Sequence, residues 1–378
     1  MNLVTAPSAN ARWAVLLPIV AVLILVVVWL SANSGDQPNR LVVYCAHDAV
    51  YADQILQEFQ RQTGIRVDVR YDTEATKSLG LINMIMQERQ YPRCDVFWNN
   101  EMLGTLDLQV QGLLEPHKGS AWERLPDKYR DPEGYWVGFG ARLRVIIVNN
   151  RQLAADEGTI QHVVSLEPSR AAVAKPLFGT TLTHYTVLWD AWGPDRLKAW
   201  HHELRLRGLR EVNGNGPVKD AVVFGTCDVG LTDTDDVFVA IDDGQPVEML
   251  PVRVSAVAVG DRPVSAIGEN DEGASSLTFS ESGTNARTIC IPNTAAIVRG
   301  TKRSEAARRL IDFLGSAETE LALARSKSRQ VPLGRVNDAD IPDQVRPLKA
   351  WADEGYDLRP LLPVRRECLQ WLKSEYLK

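Results

Sequence analysis

The sequence predicts an α/β protein of two lobes around a cleft, preceded by an apolar N-terminal helix. Three observations predict it. Short apolar runs suited to buried strands alternate with helical stretches from Leu41 onward. One run, Val145-Ile146-Ile147-Val148, is apolar enough to carry a strand from one lobe to the other. Polar tracts follow the strands, where open α/β sheets bind their ligands. At 378 residues the chain suffices for two domains, each with its own core.

The N-terminal element is residues 13–30, which follow Arg12 without a charge. Eighteen helical residues nearly span the hydrocarbon layer, whereas a cleaved signal has an apolar stretch of roughly 7 to 15 residues. The segment therefore reads as a signal sequence or a membrane anchor, with residues 1–12 on the cytoplasmic side. Ala32-Asn33-Ser34 is a fair cleavage site, and no cysteine follows closely enough for a lipid anchor. In either case the bulk of the chain is exported, to the periplasm or the outer face of the membrane. A polar linker, 31–39, comes next.

The first lobe is expected over 40–140 and 288–345. Leu41-Val42-Val43-Tyr44-Cys45-Ala46 suits a strand buried on both faces. A helix over 51–63 places Ile55, Leu56 and Phe59 at helical spacing and stops at Gly64, and 65–71 alternates like a strand. Strand, helix, strand implies a parallel sheet, and the pattern recurs with a helix over 76–90, a strand at 95–98 and a helix over 102–111. The second lobe, 141–287, holds the loop Phe178-Gly179-Thr180-Thr181, helices over 183–192 and 194–207, and an acidic tract. Its polar stretch 252–287 reads as a surface insertion or hairpin. Apolar residues 288–298 and a helix over 304–314 return to the first lobe, and 346–378 form a helical tail packed by Trp351, Leu369 and Trp371.

Composition excludes several classes. A net charge of −6 with scattered Lys and Arg leaves no basic footprint for nucleic acid. Five widely spaced cysteines form no disulfide framework or zinc pattern, and Cys45, Cys94 and Cys290 sit in apolar runs as buried thiols. His201-His202 lies on a polar helix face without metal-ligand spacing, His184 reads as core or capping, and Trp98 as core. Neither a G-x-S-x-G elbow nor a phosphate loop is present.

The densest chemistry is Thr232-Asp233-Thr234-Asp235-Asp236, three carboxylates and two hydroxyls in a row. Like charges this close raise one another's pKa or recruit a cation. The plainer reading is a cap for a helix over 236–242. Asp233-Thr234-Asp235-Asp236-Val237 also fits the D-x-D-x-[T/V] nucleophile motif of haloacid-dehalogenase-type phosphatases, using Asp233 and Asp235. That motif belongs after the first strand of its domain, whereas here a full α/β unit precedes it.

Several segments carry a resemblance. Leu41-Val42-Val43-Tyr44 with Ala46-His47-Asp48, Thr63-Gly64-Ile65-Arg66-Val67, Asp72-Thr73-Glu74-Ala75-Thr76-Lys77, Cys94-Asp95-Val96-Phe97-Trp98-Asn99-Asn100-Glu101, Pro176-Leu177-Phe178-Gly179-Thr180-Thr181, Gly230 to Asp236 and Ile291-Pro292-Asn293-Thr294 resemble the extracellular solute-binding proteins of ATP-driven importers. The ferric-ion-binding branch is the most similar. The resemblance implies a periplasmic-binding-protein type II fold that closes over its ligand and delivers it to an ABC permease. It implies a monomer, binding without catalysis, and no resident cofactor. In those relatives iron is held by a histidine on the first loop, a carboxylate after the Asp-Val-Phe strand and two adjacent tyrosines, with an anion on a small-residue loop near an arginine.

Carried over by position, His47 matches the histidine, and Glu101 or Asn100 the carboxylate, with Asn99 beside them. Gly179, Thr180 and Thr181 match the anion loop and Arg142 the arginine. The twin-tyrosine positions fall on Asp235 and Asp236, and Thr232, Asp233 and Asn215 join the ligand-binding set. Carboxylates in place of phenolates remain hard oxygen ligands for hard cations. The expected cargo is ferric iron or another hard cation with a synergistic anion. The alternative is a zwitterionic organic solute, an amino-phosphonate or thiamine-like compound, whose cationic end meets Asp233, Asp235 and Asp236.

Overall fold

The structure is a computed structural model that describes residues 39–72, 79–255, 279 and 285–377. The expected segment 13–30, residues 31–38 of its linker, Glu74 and most of the 252–287 insertion lie outside the described residues. Among those described, no helix is long and apolar enough to cross a membrane.

The chain enters on β1 (Arg40–Cys45), buried along most of its length as its Val-Val-Tyr-Cys run requires. α1 (Ala49–Thr63) buries Ala52, Ile55, Leu56 and Phe59 and ends at Gly64, whose φ of 69° closes the last turn at no Cβ cost. β2 (Arg66–Tyr71), α2 (Leu79–Gln87), β3 (Val96–Asn99) and α3 (Met102–Val110) follow, with β2 and β3 parallel to β1 on its two sides. The short β4 (Leu114–Glu115) and α4 (Ser120–Arg124) lead into β5 (Val137–Asn149), buried at every position.

The chain continues through α5 (Glu157–Leu166), β6 (Ala171–Ala174), α6 (Gly179–Trp192), α7 (Pro194–Leu206), β7 (Arg210–Val212), α8 (Asn215–Val223), β8 (Val229–Asp233), α9 (Thr234–Asp242) and β9 (Val247–Pro251). β10 (Arg253–Ser255) pairs antiparallel with β11 (Ala286–Thr288), so the ends of the insertion do form a ladder. β12 (Cys290–Val298), α10 (Ser304–Leu314), α11 (Ala317–Arg325), α12 (Arg346–Asp353) and α13 (Leu362–Tyr376) complete the chain.

Across the sheet the order is β2-β1-β3-β12-β5-β8-β6-β7, with β4 on β12 and β9 on β5. Two parallel groups therefore flank an antiparallel centre, β12 with β5. β5 is the crossing strand, and it begins at Val137, earlier than its apolar run suggests. Residues 137–143 pair with β12, and 144–149 pair with β8 on one side and β9 on the other. The handover has a local device. The register shifts between Pro292 and Asn293, which pair with Ala141 and Phe139, so Gly140 is an extra, bulged residue on β5, and its φ of 46° is a left-handed value that suits glycine.

Packing makes one of the remaining glycines consequential. A Cβ at Gly230 on β8 would lie 2.5 Å from Val218 Cγ1 and 3.2 Å from Val222 Cγ2, so α8 packs directly on that strand. Gly230→Ala is expected to cost about 1–3 kcal/mol through overpacking, read as a lower urea midpoint with an unchanged slope.

Two expectations need correction. Gly179, Thr180 and Thr181 are the first turn of α6 itself, because the helix starts four residues earlier than its apolar face suggests. His201 is 2 % exposed and not on a polar face: Tyr185 Oη lies 3.0 Å from its Nδ1, Tyr376 Oη 3.1 Å from its Nε2, and the Trp371 ring packs against it. Tyr185 comes from α6, and Trp371 and Tyr376 from α13, far away in sequence, so the local pattern of α7 does not reveal them. Burial, with Arg205 and His202 nearby, pushes its pKa down to about 4. All five cysteines are buried thiols.

Candidate functional site

The acidic tract spans the junction of β8 and α9, and its neighbours follow from strand register. Arg144 on β5 lies directly opposite Asp233 on β8. Arg142 precedes it by two residues, which in a strand puts both guanidinium groups on one face.

Asp233 is 1 % exposed and both its oxygens are taken. Oδ1 accepts from Arg144 Nη1 at 2.7 Å; Oδ2 accepts from Thr180 Oγ1 at 2.7 Å and from Asn215 Nδ2 at 2.9 Å. Asn215 Oδ1 in turn accepts from Arg144 Nη1 at 3.1 Å and from Thr181 Oγ1 at 3.2 Å. Asp233 stands at the N-cap position of α9 but makes no capping hydrogen bond, so the plain capping role does not describe it. Thr180, Asn215 and Asp233 come from the starts of α6, α8 and α9. Three helix N-termini therefore converge on one carboxylate, each favouring negative charge there.

Asp235 and Asp236 have partners of their own. Asp235 Oδ2 lies 3.3 Å from Arg142 Nη1, and Asp236 Oδ2 accepts from Thr232 Oγ1 at 2.8 Å. One oxygen from each of Asp233, Asp235 and Asp236 falls within 4.8 Å of the others, a spacing that could hold a metal ion. Burial alone pulls the Arg142 pKa down, but the carboxylates of Asp235, Asp233, Asp48 and Asp236 outweigh it and raise it.

The facing wall comes from the loop between β1 and α1. His47 is 2 % exposed, its ring stacked on Tyr51 and Trp98 at 5.8 and 5.6 Å. Its Nδ1 lies 3.4 Å from Arg142 Nη2, so the Arg142 guanidinium stands between His47 and Asp235. Its Nε2 lies 3.2 Å from Gln330 Nε2. Gln330 Oε1 accepts from Asn293 Nδ2, which also donates to the Gly140 carbonyl, so Gln330 presents its NH2 to Nε2 while the Arg142 guanidinium, also a donor, stands at Nδ1; a neutral ring accepts at one of the two. Partial burial, then the charges of Asp235, Asp48 and Asp236, push the Tyr51 phenol up.

The other expected residues divide. Thr180, Thr181, Asn215, Thr232 and Asp233 meet in one network, with Gly179 opening the same helical turn. Arg142 lies at Asp235 and His47 and not at that turn; the guanidinium reaching Thr180 belongs to Arg144, at 3.4 Å. Glu101 Oε1 accepts from the Gly104 N–H at 2.7 Å and caps α3, while among the described residues its buried Oε2 has no partner. Asn99 donates to Thr105 Oγ1 and accepts from the Asn100 N–H, forming a group at the start of α3. Arg144, Tyr51 and Gln330 were not expected. Arg144 had a signal, the two-residue period from Arg142; Gln330 had none.

Residues 41–326 match the family model of bacterial extracellular solute-binding proteins. Iron uptake protein A1 of Synechocystis is 22 % identical over 209 residues, 54 % of this chain and 56 % of that protein. The chain thus spans little more than half the length of that relative. The ferric binding protein from Campylobacter jejuni superposes with a TM-score of 0.71 at 16 % identity, covering 89 % of this chain and 98 % of that one. Apo ferric ion-binding protein A of Pasteurella haemolytica gives 0.69 at 16 % identity, covering 89 % and 97 %. At these identities the likeness establishes the fold, a two-lobed periplasmic-binding-protein architecture built on mixed sheets.

Proposed function

This chain belongs to the bacterial extracellular solute-binding proteins, and on that premise we propose that it captures a hard cation, ferric iron first, between its lobes. The observation that carries the proposal is the set of three carboxylate oxygens within 4.8 Å, facing His47 across Arg142. Carboxylates and an imidazole suit a hard or borderline cation. Ferric iron leads because the relatives named above carry iron in their own names. Arg142 stands where a cation bridging His47 and Asp235 would sit, so the cation displaces the guanidinium or binds beside it.

In this reading the walls are Asp235 and Asp236 on one side and His47 with Tyr51 on the other. Cargo that contacts both favours the closed form by its differential affinity. The lobes are 40–140 with 288–345 and 141–287, and residues 13–30 serve as signal or anchor for an exported monomer that meets an ABC permease. Binding suits the site better than phosphoryl transfer does. The Asp233 carboxylate, the would-be nucleophile, is held on both oxygens by Arg144, Thr180 and Asn215.

Calorimetry with ferric citrate and native mass spectrometry test the reading. The double substitution Asp235→Asn, Asp236→Asn is expected to weaken ferric binding about 100-fold, roughly 2.7 kcal/mol. Unchanged affinity in that variant would remove the tract from the site. Binding of thiamine or an amino-phosphonate with no ferric binding would replace the cargo with the zwitterionic class.

A further inference from the structure

We infer that Asp233 is the resident anion of the cleft, and that the cargo cation is bound without a free anion beside it. The inference rests on the cation reading above and adds the identity of the counter-charge. The start of a helix attracts an anion because its first N–H groups lack intrahelical acceptors and its dipole is positive there. The start of α6 has this character: among the described residues no acceptor meets the N–H groups of Gly179, Thr180 or Thr181. A free phosphate or carboxylate held there would draw on a nearby hydroxyl, an amide and a guanidinium. Those three donors are present, and all serve Asp233. Thr180 Oγ1 donates at 2.7 Å, Asn215 Nδ2 at 2.9 Å and Arg144 Nη1 at 2.7 Å.

Tethering decides the competition. A carboxylate fixed on β8 has a high effective concentration at this position, so an ion in dilute solution competes poorly. A second anion would also have to share the guanidinium with Asp233 in a site where Arg144 is 0 % and Asp233 1 % exposed, and like charges that close repel. Two features point the other way. Asp233 accepts from side chains and from none of the N–H groups at the start of α6. Among the described residues, Arg144 Nε and Nη2 are buried without hydrogen-bond partners, so the guanidinium has an unused edge. An exogenous anion seated on that edge is the direct competitor of the inference.

The test uses the full chain and inorganic phosphate as probe. The wild type, titrated with ferric iron from nitrilotriacetate, is expected to reach the same affinity with and without phosphate, and its loaded mass to show metal without phosphate. Asp233→Ala is expected to bind iron at least about tenfold more weakly, with phosphate or formate restoring the affinity and phosphate appearing in the loaded mass. Asp233→Asn, which keeps the side-chain shape, serves if the alanine variant does not fold. Stoichiometric phosphate on the loaded wild type would overturn the inference and assign the free edge of Arg144 to the anion. If the wild type takes no ferric iron, the cation reading fails on its own. Calorimetry with phosphate alone still decides this one: no heat from the wild type and binding by Asp233→Ala supports it, and binding by the wild type sinks it.

Discussion

Arg144→Met is expected to destabilise the protein by about 3 kcal/mol, the lower end of the cost of removing one partner from a buried ion pair. Methionine keeps most of the side-chain volume, so the loss reports charge and not a cavity. Asp233 would keep its hydrogen bonds from Thr180 and Asn215 but lose the guanidinium at 2.7 Å, leaving a carboxylate that is 1 % exposed without a counter-charge. The lower end is chosen because Arg144 itself buries two unpartnered nitrogens, whose desolvation is relieved by the substitution. Urea unfolding measures the effect. Adding Asp233→Leu to Arg144→Met is expected to recover much of the loss, since an apolar pair can match a buried ionic one. A loss below about 1 kcal/mol in the single variant would mean that the pair is not desolvated as its burial indicates.

Glu320→Gln is expected to cost more, about 3–5 kcal/mol. Glu320 is 0 % exposed and receives four donors. Oε1 accepts from the N–H groups of Gly140 and Leu333, both at 2.8 Å; Oε2 accepts from the Gly334 N–H at 3.0 Å and from Arg124 Nη2 at 2.5 Å. A glutamine presents its own NH2 to one of these pairs, so it removes a charge and sets donor against donor. Gly140 is the bulged residue of β5 opposite Pro292 and Asn293, and Ala141 bridges Val331 beside it. Hydrogen exchange at Gly140, Leu333 and Gly334 is therefore expected to quicken before exchange in β1 or β6. Uniform acceleration across the chain would mean that Glu320 supports global stability without a special hold on the crossing strand.

Much of the architecture was legible because its signals are local. The alternation in 65–71, the stop at Gly64 and the periodicity of 304–314 each depend on a few adjacent residues, and β2, α1 and α10 formed there. The three aspartates met in space because five residues contain them all. What escaped depends on pairing between distant segments. Arg144 acquires its role from facing Asp233 across an antiparallel register, and no sequence window contains both. Gln330 reaches His47 across most of the chain, and His201 is covered by residues of α13.

The position of β12 also has a consequence for how the protein forms. It lies between β3 and β5, pairing Thr294 with Asn99 on one side and Cys290 with Leu143 on the other, so the sheet of the first lobe has a gap until β12 arrives. At about 5–20 residues per second, the stretch from Asn149 to Cys290 takes on the order of 10 s to synthesise. During that interval β3 and the first half of β5 present open edges, while β8, β6 and β7 are complete enough to pair. The lobe made first is thus finished last, and its closure waits on pairing between segments far apart in the chain, the kind of contact that slows folding.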